Sequence, residues 1–133
     1  MSSAKALAVA GEKFTVEWAT DSRDRMPALE YFNTLKKEER QRLMMLFKRL
    51  ADNGDIANRE HFKCLGEKGE RLWEFKHFQL RFLGDYRSGR RFVIAHGLRK
   101  KRDELDPAAI ARAKRILDEH DEREERARKK AKR

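Results

Sequence analysis

A chain of 133 residues and 15.8 kDa has room for one domain of ordinary size. Hydrophobic residues make up 39% and charged residues 42%, so the core is small and the surface densely ionic; eight Phe, two Trp and two Tyr exclude a wholly disordered chain. Lys and Arg total 33 against 23 acids, a net charge of +10 with a pI near 10.0, which points to a polyanionic partner: nucleic acid, a ribosome, an acidic protein or an anionic membrane.

Residues 1–12 are small and polar around the apolar run Ala6 to Ala10. That run is too short for a signal-peptide core or a membrane span, so the segment reads as a mobile leader and the protein as cytoplasmic, without a membrane partner. From Lys13 to Ala19, Phe14, Val16 and Trp18 alternate with Thr15 and Glu17, the pattern of a strand with one buried face. Pro27 suits the first turn of a helix that carries Leu29, Phe32 and Leu35. A second helix follows from Lys37, with Leu43, Leu46, Phe47 and Leu50 on one face and a stop at Asn53-Gly54. The two helices are expected to form an antiparallel hairpin over one face of a sheet.

Asn58 to Glu70 reads as a loop. It holds His61 and Cys64, an H-x-x-C pair with no second pair to complete a zinc site, so no metal or cofactor is assigned. Cys64 is the single cysteine, which fits a reducing compartment and excludes an internal disulfide. Leu72, Trp73, Phe75, Phe78, Leu80, Phe82 and Leu83, and then Phe92, Val93, Ile94 and Ala95, form strand-like runs that read as three consecutive antiparallel strands, separated at His77 to Gln79 and at a two-residue turn, Ser88-Gly89. Asp106-Pro107 starts a last helix bearing Ile110, Ala113, Ile116 and Leu117. Beyond His120, residues 121–133 hold seven bases and four acids, a charged extension of net +3 that leaves +7 for residues 1–120. The expected fold is α+β: a small twisted antiparallel sheet with an N-terminal helical hairpin and a C-terminal helix, in the order β-α-α-β-β-β-α, over residues 13–120. Trp18, Phe47, Phe75 and Ile94 are expected to share one core.

Between Tyr86 and Arg102 stand Arg87, Arg90, Arg91, Arg99, Lys100, Lys101 and Arg102, with no carboxylate among them. Concentrated around one strand, such a run attracts phosphates. Glu74 and Lys76 share a strand face opposite Trp73 and Phe75, and Arg81 lies on the next strand. If these strands pair in sequence, Lys76, Arg81 and the Arg99 to Lys101 cluster meet on a concave face.

The runs Leu72-Trp73-Glu74-Phe75-Lys76, Leu80-Arg81-Phe82 and Arg91-Phe92-Val93-Ile94-Ala95-His96-Gly97-Leu98-Arg99-Lys100-Lys101, ending at Asp106-Pro107, resemble the RelE/ParE toxin superfamily, and within it the HigB or phage Gp49-like branch. The resemblance implies a toxin that cleaves messenger RNA at the ribosome and is held inactive by a cognate antitoxin, a helix-turn-helix protein. It also implies catalytic bases at Lys76, Arg81 and one position within Arg99 to Lys101, taken as Lys100. Arg87, Arg90, Arg91, Arg99, Lys101 and Arg102 are then expected to bind substrate. Arg81, always charged, suits a phosphate clamp, and Lys76 or Lys100 suits proton transfer. His96, at the end of an apolar strand, is expected to be structural, with His77 and His120 also behind the lysines. Two departures stand out: Tyr31 and Tyr86 both lie away from the C-terminal helix, where such toxins often carry a tyrosine, and Glu74 occupies a place where a second lysine is expected. The alternatives are a ParE-like inhibitor of DNA gyrase and a basic nucleic-acid-binding module.

Overall fold

Alternating strands need both faces of a sheet covered if they are to bury aromatic residues on one side and aliphatic ones on the other. The computed structural model, which describes residues 6–66, 71–101 and 104–132, solves this with a six-stranded sheet carrying helices on both faces. The elements in order are β1 (Leu7–Ala10), β2 (Thr15–Trp18), α1 (Pro27–Phe32), α2 (Lys37–Asn53), β3 (Phe62–Cys64), β4 (Trp73–His77), β5 (Leu80–Arg87), β6 (Arg91–Arg99) and α3 (Pro107–Ala131). Across the sheet the strands run β1-β2-β6-β5-β4-β3. The class is α+β as expected, but two short strands are added, and β2 runs parallel to β6, so the sheet is mixed.

The added strands lie at the edges, where sequence patterning is weakest. β1 falls within the segment read as a leader, yet it pairs antiparallel with β2. Its anchor is the turn that follows: the Ala51 carbonyl at the end of α2 accepts from the Lys13 and Phe14 amides at 2.9 and 2.8 Å. Gly11 makes that approach possible, since a Cβ there would sit 2.3 Å from the Ala51 carbonyl carbon. β3 falls within the stretch read as a loop. It is only three residues long, but it buries Phe62 opposite Phe75 and stacks it on Trp73 at 4.8 Å.

α2 behaves as its periodicity requires, burying Leu43, Leu46, Phe47 and Leu50. Its first turn is closed by the Lys36 amide donating to Glu39 at 3.2 Å, and its last by Gly54 at φ 82°, donating to the Leu50 carbonyl. α1 is shorter than a hairpin partner would be. Thr34 and Leu35 fold back onto the Tyr31 and Phe32 carbonyls and end it after six residues, so its packing is mainly onto β6. Trp18, Phe47, Phe75 and Ile94 share the core on this face, with the Phe47 ring 4.8 Å from Phe75 and 5.8 Å from Trp18.

The opposite face is covered by α3, whose Ala113, Ile116 and Leu117 pack on Leu72, Leu83, Val93 and Ala95. The Asp106 carboxylate caps its first turn by accepting from the Ala108 amide at 2.9 Å. The helix does not end where apolar residues do but continues to Ala131, through the segment read as an extension. β2 is therefore buried on both faces, and Glu17, expected to face solvent, is 3% exposed. The β5–β6 connection is Ser88 to Arg90, one residue longer than expected, with Gly89 and Arg90 both at positive φ.

Phe47→Ala removes the ring at the centre of the aromatic face, and a loss of about 3–5 kcal/mol is expected. A urea unfolding midpoint shift with unchanged slope is the measurement.

Candidate functional site

β4 and β5 pair in a register that sets Lys76 directly opposite Arg81, with His77 opposite Leu80. A two-residue turn, Phe78-Gln79, joins them. At the far end of β6, Leu80 pairs with Arg99, and the Lys100 amide donates to the Gln79 carbonyl at 2.7 Å. Antiparallel pairing thus brings Lys76, Arg81 and Lys100 to one end of the sheet. The Lys76 ammonium is held below its ordinary pKa, first by burial, then by the charges of Lys63 and Arg81; Glu74 pulls the other way, and Lys100 adds a smaller depressing effect.

Arg81 is 6% exposed, and its Nη1 donates to the Phe78 and Leu80 carbonyls at 2.5 and 2.9 Å. Its Nε lies 3.8 Å from the carboxylate of Glu74, which is also buried and which Lys63 approaches at 3.8 Å from β3. Glu74 is therefore the counter-charge for Lys63, Arg81 and Lys76, not a misplaced surface acid. The arrangement keeps the Arg81 guanidinium fixed beside the turn.

The rest of the one-sign run is divided by the hairpin. Arg87, Arg90 and Arg91 stand at the opposite end of β5 and β6, six residues and about 20 Å of extended chain from Arg81. Two of them are already neutralised. Arg87 forks onto Asp121 at 2.9 and 3.0 Å and reaches Asp85; Arg91 forks onto Glu124 at 2.5 and 3.1 Å and lies 3.6 Å from Glu17. At the other end Arg99 pairs with Glu39 at 2.9 Å, which raises its pKa and lowers that of Glu39. A run free of carboxylates in sequence is thus supplied with them from α2, β2 and α3. Among the described residues the side chains of Arg90, Lys100 and Lys101 form no ion pair; Arg102 lies outside them. Lys100 and Lys101 line a recess between the end of β6 and the start of α3, with Leu98, Glu104 and Leu105.

A second groove, of about 690 Å³, runs between α2 and the β4–β5 turn. Its lining includes Lys76 and Arg81 together with Arg42, Arg49, His61 and Phe78, none of the last four expected from sequence as site residues. Arg42 and Arg49 carried a signal: they recur seven apart on α2, off its buried face. Phe78 lay hidden among strand-like aromatics.

Burial, reinforced by Arg112, pushes His96 down to about 4; burial also lowers His77 and His120. The His120 Nδ1 accepts from the Thr20 amide at 3.0 Å, which places the neutral ring's proton on Nε2. Tyr86, half-buried against the aromatic core, donates to the Gly54 carbonyl at 2.8 Å, and burial pushes it up to about 12. Among the described residues no three His, Cys, Asp or Glu side chains come together as metal ligands, and no helix is long and apolar enough to cross a membrane.

Comparison with protein families matches residues 30–118 to the family described as phage derived protein Gp49-like. None of the curated proteins compared with the chain matches it.

Two titrations check this electrostatic layout. Because His96 binds a proton more weakly in the folded than in the unfolded chain, its contribution to stability is complete above about pH 6.5 and is lost as pH falls towards 4. His96→Asn is expected to flatten that part of a stability-against-pH curve. Glu74→Gln removes the charge that raises Lys76, so the Lys76 titration, followed by NMR of its Cε, should move to lower pH.

Proposed function

The chain belongs to the Gp49-like family of RelE/HigB-like toxins, and we propose that it is a metal-independent endoribonuclease that cleaves messenger RNA at the ribosome. Membership of a toxin family implies a cognate antitoxin; we propose a helix-turn-helix protein for that role. The observation that carries the enzymatic reading is the cross-strand pair Lys76 and Arg81, with Lys100 near enough to act on the Lys76 charge.

Cleavage by an internal 2′-hydroxyl needs three things: a proton acceptor, a stabiliser for charge on the phosphate and a donor for the leaving oxygen. In this proposal Lys76, depressed by burial and neighbouring cations, takes the 2′-hydroxyl proton in its neutral form. The 2′-oxygen attacks phosphorus, the bond to the 5′-oxygen breaks, and the Lys100 ammonium protonates that 5′-oxygen. The products are a 2′,3′-cyclic phosphate and a 5′-hydroxyl. Arg81, held at the turn by two carbonyls and Glu74, faces the charge that builds on the phosphate. A site dominated by cations repels a divalent metal, so the reaction is proposed to run with chelator present.

The proposed substrate contacts are narrower than the basic run itself. Lys101 and Arg90 remain as proposed phosphate contacts, Arg102 lies outside the described residues, and Arg87, Arg91 and Arg99 would have to exchange an internal carboxylate for RNA.

Arg81→Lys keeps the charge but not the fork, and a rate loss of about 100-fold is expected in cleavage of a ribosome-bound message with EDTA present. With Lys76 as base the rate rises with pH through its pKa, so Glu74→Gln should move that limb to lower pH. Mapping of RNA 5′ ends after induced expression is the test in cells. If growth arrest persists with messenger RNA intact in the Lys76, Arg81 and Lys100 triple Ala variant, a gyrase-inhibiting toxin of the ParE kind replaces this reading.

A further inference from the structure

Phe78 is the most exposed large apolar side chain among the described residues, at 86%. It occupies the first position of a two-residue turn at φ 52°, a left-handed conformation that bulky residues rarely adopt and that Gly or Asn would take without strain. The turn is held in place by contacts to its own backbone: Arg81 donates to the Phe78 carbonyl at 2.5 Å, and the Lys100 amide donates to the Gln79 carbonyl at 2.7 Å. Two groups of the proposed catalytic set thus fix the backbone that displays the ring. On one side the ring meets His77 edge-on at 4.7 Å, and no other aromatic contact covers it among the described residues.

Phe78 rims the groove of about 690 Å³ between α2 and the turn, within the usual range of small-ligand sites, about 300–1,000 Å³. Across that groove stand Arg42 and Arg49, which form no ion pair among the described residues, and Glu60 is the one carboxylate in the lining. An uncovered π-face beside unneutralised cations has the composition of a single-stranded nucleic-acid site, in which rings stack on aromatics and phosphates rest on guanidinium groups. A protein partner burying Phe78 would leave Arg42 and Arg49 without counter-charges unless it supplied carboxylates.

We propose that Phe78 is a stacking platform for one unpaired RNA base, with the adjoining phosphates carried by Arg42 and Arg49, so that the strand is drawn across Lys76 and Arg81. The proposal rests on the RNA-cleaving reading and extends it by assigning a base-binding subsite outside the catalytic set. Stacking alone does not select a base by its hydrogen-bonding edge, so the subsite positions RNA for cleavage without imposing a strict sequence.

The test uses the full-length protein and a short single-stranded RNA carrying 2-aminopurine, whose fluorescence reports stacking. Phe78→Ala is expected to abolish the quenching and weaken binding by about 10-fold or more. Phe78→Trp should recover both, and Phe78→Leu, apolar but without a π-face, should recover neither. Arg42→Gln and Arg49→Gln should each reduce the salt dependence of binding by about 0.7 log unit per log salt. Thermal melting of each variant controls for folding, which an exposed side chain should leave intact. If the wild type binds and cleaves RNA while Phe78→Ala does so equally well, the stacking proposal falls and the nuclease reading stands. Recovery by Phe78→Leu would likewise overturn it, in favour of an apolar protein contact. If the wild type neither binds nor cleaves RNA, on or off the ribosome, both readings fail together.

Discussion

Alternation along β4, β5 and β6 is the constraint from which the rest of this molecule follows. Phe75, Phe82, Phe92 and Ile94 must all meet Phe47 and its neighbours, so the residues between them are sent to the other face. Glu74, Lys76 and Arg81 are among those residues, and antiparallel pairing sets the last two opposite each other. A slip of one residue in register would exchange aromatic rings for charges across the sheet. The packing energy of the aromatic core therefore also enforces the alignment of the candidate site.

Burying Arg81 and Glu74 beside each other is expensive unless their polar atoms find partners. Arg81 meets that need with the Phe78 and Leu80 carbonyls and a carboxylate, while Glu74 is approached by Lys63 and Arg81. The cluster still carries more positive than negative charge. Burial first, and that excess second, lowers the proton affinity of Lys76, and the excess leaves the region electrostatically receptive to a phosphate.

The arginines at the other end of the sheet serve a different purpose. Arg87 and Arg91 bind carboxylates on α3, and Arg123 on α3 reaches back to Asp24, so the helix is tied to the sheet well past its last large apolar side chain. This explains why a segment rich in charge continues as helix instead of trailing away. Among the described residues Lys100, Lys101, Arg42 and Arg49 form no ion pair and lie towards the end of the sheet that holds Lys76 and Arg81, while Arg90, likewise without one, stands at the other end.

Local patterns in the sequence determined β2, the helix starts at Pro27 and Pro107, α2 with its Gly54 stop, and the strand faces around Glu74 and Lys76. These follow from 2.0- and 3.6-residue periodicity and from caps, all of which depend on neighbours in the chain. The family likeness was legible through β4, β5 and β6, and so was the approach of Lys76, Arg81 and Lys100 to one end of the sheet. Tertiary structure alone decided the edge strands β1 and β3, whose stability comes from Ala51 and Trp73 and not from their own pattern. It also decided which cations are free. Arg87 meets Asp121 across 34 positions, Arg91 meets Glu124 across 33, and Arg99 meets Glu39 across 60. Charge pairing acts through space, so a run without acids in sequence can be neutral in the fold; only the folded chain shows where positive charge remains.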